Sequence, residues 1–365
     1  MTRESTWMLI GVGGSGCRMA RAVGVGFGGD ARALLVDTDS SSFDDGDTPF
    51  LLLGAERLSG RGTGGEIVSA RLAAEDSAGK LDEFITGVRI AVILASLGGG
   101  TGGGATLELV KHLSGRGIAS IVFATTPFSF EGETRHRNAR GSAAMIADAA
   151  NASFIIPLDH LAGGCDEMDA AMRTGLERLS AAVALFWRIL EKPGYIRLDA
   201  ERLRHIVQGA GRGRFASADV AGPDRARRAL DELVHTPLLA EGSNPVRSIL
   251  CGVLAGEDLR LSEIALVADG LRSAFGAGKS DFELATVNDD ETFRGRLCVV
   301  ALMFETPAQR DDKERQRPTK KRKAADDRRR ALTSNSPFSN SEPTIWHDED
   351  LDIPTYLRQN ITLEF

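Results

Sequence analysis

Two glycine clusters stand where backbone amides could do chemistry. The first, GVGGSG, carries the spacing Gly11-x-Gly13-x-x-Gly16, with an apolar run before it and helix formers after it. This is the pattern of a strand–turn–helix that brings a helix N-terminus to a phosphate, and Asp37 closes the next apolar run about 20 residues on, as in a dinucleotide fold. The second runs from Gly98 to Gly104, broken only by Thr101. Each interior glycine costs a helix about 0.5 to 1 kcal/mol against alanine, so six of them do not serve helix stability. They suit N–H groups that approach a polyphosphate at a helix start; the plainer reading is a flexible turn. One such loop suffices for a dinucleotide, whereas two on neighbouring strand ends suit a triphosphate gripped from both sides. The GxxxxGK[ST] pattern does not occur, so the grip is not of the Walker type.

The elements that must position these loops follow from apolar patterning. TWMLIGVG, ARALLVD, RIAVILAS, IASIVFATTPF and ASFIIPLD read as strands, nearly continuously apolar as in a parallel sheet covered on both faces. MARAVG, SARLAAEDSAGKLDEFI, ATLELVKHLS and GSAAMIADAA read as the helices between them. The alternation predicts a doubly wound, Rossmann-like α/β domain over residues 1–175. A long central helix follows, with Leu176, Leu179, Val183, Phe186 and Leu190 on one stripe, stopped by Pro193-Gly194. With the helix core placed at 176–194, a second, smaller α/β domain spans 195–305. Its strands are RSILCGVLAG, DFELATVND and GRLCVVALMFE, and its helices RARRALDELV and LSEIALVADGLRSAF. Residues 306–348 are charged and Ser/Asn/Pro-rich, which predicts a disordered tail. An apolar cluster returns at 349–365.

Composition narrows the class. Apolar residues make up 42% of the 365, glycine numbers 41, and net charge is −7. That charge argues for solubility and against a nucleic-acid coat. Cys17, Cys165, Cys251 and Cys298 show no metal spacing and read as reduced core residues. The six histidines, His112, His136 and His205 among them, form no metal spacing either. No basic-then-apolar leader opens the sequence and no run nears the ~18 to 20 apolar residues that cross a bilayer. The expectation is a cytoplasmic protein without membrane insertion or a specific nucleic-acid partner.

With GGGTGGG in hand, the sequence resembles the tubulin/FtsZ family of cytoskeletal GTPases, and its FtsZ branch more than tubulin. GVGGSGC matches the family's first glycine loop, VDTDSSSF its second, LSGRGTGGEI its third and GGGTGGG its signature loop. TTPFSFEGETRHRNARGSAAMI, FIIPLDHL, KPGYIRLDAERLRHIV, HTPLL and AGEDLRLSEI continue the match in order, over about residues 7–305. The resemblance implies GTP or GDP with Mg²⁺ as ligand. It implies phosphate contacts from Gly13, Gly14, Ser15 and Gly16, with Cys17 and Arg18 on the same turn, and from Gly100, Thr101, Gly102 and Gly103. Asp39 and Ser40 would lie near the γ-phosphate and its Mg²⁺. Glu131 and Arg135 would hold the ribose and α-phosphate side; as residues alone they read as a surface i,i+4 pair. Glu177, on the central helix, would read guanine, whose N1–H and N2 amine form a donor pair that adenine lacks.

The match breaks where hydrolysis is completed. In the family a neighbouring subunit supplies an Asn followed by two acids three residues apart; here those positions are Arg197, Asp199 and Arg202. Asp199 and Arg202 are the candidate catalytic positions, and an arginine cannot serve as a base near neutral pH. Glu201 is the obvious substitute, but residues two apart at a helix start point about 160° from each other. An arginine here would also sit close to phosphate charge. The expectation is a GTPase that assembles head-to-tail with itself, or with another family member, and whose turnover is slow or depends on a partner chain. Arg18 replaces the family's usual Asn, either to reach a phosphate or to cover the helix surface.

At the end, DLDIPTYLRQ resembles the short tail peptide that docks on membrane-anchoring division proteins. Pro354 suits a first helical turn, and Ile353, Tyr356 and Leu357 then share a face, with Leu351 just before them. The tether ahead of it carries the basic blocks 320–323 and 328–330, read as solvated linker. The resemblance implies a role in bacterial cell division or a related cytoskeletal task, at the division site. Two other readings stand beside it: a non-hydrolysing family member that regulates such filaments, and an NAD(P)-dependent oxidoreductase resting on Gly11–Gly16 and Asp37 alone.

Overall fold

Leu9 and Ile10, neighbours in one strand, feed two different hydrophobic cores. The computed structural model describes residues 6–25, 32–43, 46–164, 167–192, 194–236, 245–275 and 281–305, with the short segments 345–346 and 349–350. The first part runs β1 (Trp7–Val12), α1 (Gly13–Val25), β2 (Ala33–Asp37), β3 (Phe50–Leu52), α2 (Ala55–Leu58), α3 (Ile67–Asp76), α4 (Ala78–Leu81) and β4 (Ile90–Ser96). It continues with α5 (Gly100–Gly115), β5 (Ala119–Thr126), α6 (Glu133–Ala149), β6 (Ala152–Pro157), α7 (Leu158–Ala162) and α8 (Met168–Glu191). These strands are parallel in the order β3-β2-β1-β4-β5-β6. This is the doubly wound arrangement, with its switch point between β1 and β4. Alternate residues of β1 and β4 enter one core with α1 and α8, the others a second core with α3 and α5. Burial on both faces accounts for the unbroken apolar runs.

The remainder follows as α9 (Ala200–Val207), β7 (Gly211–Ala221), α10 (Arg225–His235), β8 (Val246–Ala255), α11 (Leu261–Ala274), β9 (Asp281–Asn288), α12 (Asp290–Phe293) and β10 (Arg296–Glu305). Its strands extend the same sheet in the order β7-β10-β8-β9. The seam is narrow: β6 meets β7 only through Ala152–Gly211 and Ser153–Arg212. Helix α8 supplies the rest of the joint. Its expected stripe is buried, but so are Trp187 and Ile189, because the helix packs on both halves at once. At 24 residues it is about 36 Å long.

Three local expectations change. The segment read as one helix from Ser69 divides into α3 and α4 at Ser77, whose hydroxyl accepts the Gly54 amide at 2.9 Å. β7, the longest strand at 11 residues, was not expected, since GRGRFASADVA is too rich in small and polar residues to show an apolar period. The helix after the second glycine cluster begins at Gly100, inside the cluster.

Residues 308–365 form a separate unit. Within the expected tail, Ile345–Trp346 pairs antiparallel with Glu349–Asp350. Leu351, Ile353, Pro354, Tyr356 and Leu357 lie outside the described residues. No described helix is long and apolar enough to cross a membrane.

Candidate functional site

The two glycine clusters meet. β1 pairs directly with β4, Val12 beside Ala95, so the loops that leave their carboxyl ends are neighbours. Gly13 takes φ +74°, and a Cβ placed on it would lie 3.4 Å from the Gly102 nitrogen. The N-termini of α1 and α5 therefore converge on one point. Neither first turn holds an acidic residue, and the α5 cap, Gly99, offers no side chain to the orphan amides. Free N–H groups and the positive ends of two helix dipoles make this a site for anions.

The glycines divide the work. Gly11 and Gly16 lie where a Cβ would meet Gly16 O at 2.6 Å and Leu94 O at 2.4 Å, so they let α1 close onto the sheet. In α5, a Cβ on Gly102 would sit 1.9 Å from Ser96 O, on Gly103 2.3 Å from Ser142 Oγ, and on Gly104 2.4 Å from Ile67 O. Much of the second cluster thus exists to seat α5 against β4, α6 and α3. The helix cost of those glycines is offset by packing as well as by any ligand approach.

Around the cradle lies a cleft of about 1010 Å³, ample for a nucleotide. Of the residues singled out from sequence, Gly13, Gly14, Ser15, Asp39, Gly100, Thr101, Gly102 and Arg135 line it. Thr101 is fixed by a 2.7 Å hydrogen bond between its hydroxyl and that of Thr38. Asp37 is buried at the cleft floor, its Oδ1 accepting the Thr38 amide at 2.7 Å. Asp39 caps the short 3₁₀ turn Ser40–Ser42, and the Ser41 hydroxyl and amide, at 2.7 and 2.9 Å, hold its carboxyl below the usual range. An ionised Asp39 beside the Thr38 hydroxyl suits a hard cation. No described group of three or more His, Cys, Asp or Glu could hold one alone, so Mg²⁺ would take its remaining ligands from phosphate and water.

Other expected residues sit apart from the lining. Gly16 and Gly103 are packing positions. Cys17 turns its thiol to Gly11 O and Val36 O, and burial pushes its pKa up to about 12. Arg18, exposed, reaches back to Ser15 Oγ at 3.2 Å. Ser40 directs its hydroxyl to Gly60 O at 3.2 Å. Glu131 is no solvated surface partner: its side chain is 11% exposed, pairs with Arg135, and accepts the Phe128 amide at 2.9 Å. Glu177 is exposed on α8. Residues not singled out also line the cleft: Thr38, Ser42, Thr134, Asn138 and the loop from Arg61 to Glu66. The motif LSGRGTGGEI marked that loop, but no single residue in it stood out.

Asp199 and Arg202 belong to a different region. Asp199 caps α9 by accepting the Arg202 amide at 2.8 Å, while Arg202 Nε donates to Glu283 on β9 at 2.7 Å. Within this chain Arg202 is therefore engaged by a carboxylate. Glu201 turns away and pairs with Arg89. Arg89 precedes β4, whereas the cradle follows it, and seven strand residues span about 23 Å. One chain therefore presents the amide cradle and the α9 cap at opposite ends of the sheet.

Comparison with known proteins finds the same fold elsewhere. Residues 7–166 match the family model described as Tubulin/FtsZ family, GTPase domain. An FtsZ dimer from M. jannaschii, solved empty, superposes with a TM-score of 0.77 at 22% identity, over 83% of this chain and 89% of that one. CetZ2 from Haloferax volcanii, a GTPγS-bound protofilament, gives 0.69 at 20% identity, over 89% and 99%. CetZ from Methanosaeta thermophila gives 0.67 at 14%, over 90% and 95%.

Proposed function

We propose that this chain, a divergent member of the tubulin/FtsZ family by virtue of the GTPase domain at residues 7–166, binds GTP in the α1–α5 cleft and assembles head-to-tail into filaments. The observation that carries the reading is the convergence of two helix N-termini at the adjacent carboxyl ends of β1 and β4. That double cradle suits a chain of phosphates. Arg135 and Glu131 flank it on the α6 side, where the ribose would lie, with Glu177 reaching the base. Asp39 and Thr38 flank it on the other, where they would help to hold Mg²⁺, which would offset phosphate charge.

Hydrolysis would be completed by the next subunit. The length of β4, about 23 Å, lies between the cradle and Arg89, the partner of Glu201 on α9, so one chain would not join cradle and cap, whereas head-to-tail stacking would bring one subunit's end to the next one's cleft. What arrives is Arg197, Asp199 and an already paired Arg202. With a single acid to orient the water, a contribution of about 10² to 10⁴ from positioned acid–base groups is reduced, and turnover is slow. The same observation favours a second reading, a member that joins or regulates filaments without hydrolysing GTP. The tail peptide at 349–365 would tether these filaments to membrane-anchoring partners in the cytoplasm, in division or a related cytoskeletal task.

Light scattering of the purified protein on adding GTP, with phosphate release followed in parallel, tests these readings. Scattering that rises with GTP alongside slow phosphate release supports the first. Scattering without any release supports the second. Retention of NADH in place of a guanine nucleotide would overturn both.

A further inference from the structure

The cleft carries few positive charges. Among the described residues lining it, the cationic side chains are Arg61 and Arg135, and Arg135 is engaged by Glu131. Arg61 differs. Its guanidinium makes no hydrogen bond or ion pair with any described residue, while its backbone is held from three directions. The Arg61 amide donates to Leu58 O at 3.1 Å, Ser40 N donates to Gly60 O at 3.0 Å, and Gly62 N donates to Thr38 O at 3.1 Å. An isolated antiparallel bridge joins Arg61 to Asp39. Gly60 and Gly62, on either side, both take φ +71°, and a Cβ on Gly60 would press on Ser40 Oγ at 3.0 Å. Glycines take this left-handed backbone without the strain a side chain would meet there. The result is a long cationic side chain with a fixed root and a free tip, standing on the wall of an anion cleft.

We infer that Arg61 is the specificity-determining residue for the terminal phosphate, so that the cleft distinguishes a nucleoside triphosphate from a diphosphate. The inference rests on the proposed GTP site and deepens it. If ribose lies on the α6 side, the phosphate chain runs across the α1 and α5 amides toward the wall formed by Asp39 and Arg61. The first two phosphates are met by amides; the third lies beyond them, carries the most negative charge, and meets the guanidinium. A planar guanidinium can grip two phosphate oxygens at once, whereas an ammonium acts as a point charge. Diphosphate leaves Arg61 in solvent at little cost, because the side chain is exposed.

The test compares binding of a non-hydrolysable GTP analogue and of GDP by the full chain and by R61Q and R61K, with thermal unfolding as the folding control. A charge-assisted hydrogen-bond pair lost on the triphosphate alone corresponds to an affinity drop of about 10- to 100-fold. The expected result for R61Q is that drop for the analogue, GDP affinity within about twofold, and R61K in between. Equal losses for both nucleotides, or no loss for either, with unfolding unchanged, would overturn the role of Arg61 and leave the GTP site standing. Failure of the unaltered protein to bind either nucleotide would overturn the site itself.

Discussion

Arg202 donates from Nε to Oε2 of Glu283 at 2.7 Å, joining the start of α9 to β9. The positive charge that stands where the resemblance leads one to expect an acid is therefore answered inside the same chain. Restoring an acid at 202 alone would set two carboxylates face to face, so the informative variant is R202D combined with Glu283→Gln. Phosphate release at assembling concentrations should rise by about tenfold or more, with GTP affinity unchanged. A flat rate in a variant that still assembles would show that position 202 does not limit turnover.

Two glycines in helices should respond in opposite directions. Gly102→Ala puts a methyl 1.9 Å from Ser96 O, which should cost about 1 to 3 kcal/mol through overpacking. Gly141, in the middle of α6, faces open space, and Gly141→Ala should stabilise by about 0.5 to 1 kcal/mol. Urea midpoints read both effects, and a neutral Gly102→Ala would contradict the close seating of α5 on β4.

Arg225 is buried and grips Glu263 and Asp258, each at 2.7 Å, pinning the start of α10 to α11 and to the connection between β8 and α11. The Arg225 hydrogen bonds hold the Glu263 carboxyl below its ordinary value of 4.5. A depressed carboxylate contributes stability that is complete above the unfolded value and lost as pH falls through the folded one. Stability should therefore decline below about pH 4.5. R225M should destabilise by about 3 to 5 kcal/mol near neutral pH and flatten that acid limb. Chemical denaturation from pH 3 to pH 7 measures both.

Burial pushes Cys17, Cys251 and Cys298 up to about 12. Reactivity belongs to the thiolate, so none of the three should be alkylated by iodoacetamide at pH 8 in the native protein, and all should be once it is unfolded. Rapid native labelling at Cys17 would mean that α1 opens from the sheet.

Patterning revealed the strands of the parallel half because burial on both faces leaves unbroken apolar runs, and α8 because Leu176 through Leu190 keep a helical stripe. β7 stayed hidden: a strand of alanines, glycines and arginines packs well yet has no hydrophobic period. In the cleft, the glycine positions were plain from spacing. Arg61 was not, since nothing in its chain neighbours sets it apart from any exposed arginine. Its meaning comes from the stitch to Asp39 and Ser40, about 20 residues away.

By itself the sequence determined that two glycine-rich turns would each end a strand and open a helix, because apolar runs, glycine spacing and helix formers are local properties of the chain. Only the tertiary structure decided that those turns converge, that Arg202 spends its charge on Glu283, and that the cradle and the α9 cap lie at opposite ends of one sheet. Strand order and ion-pair choice depend on which distant segments share a core, and no local pattern encodes that distance.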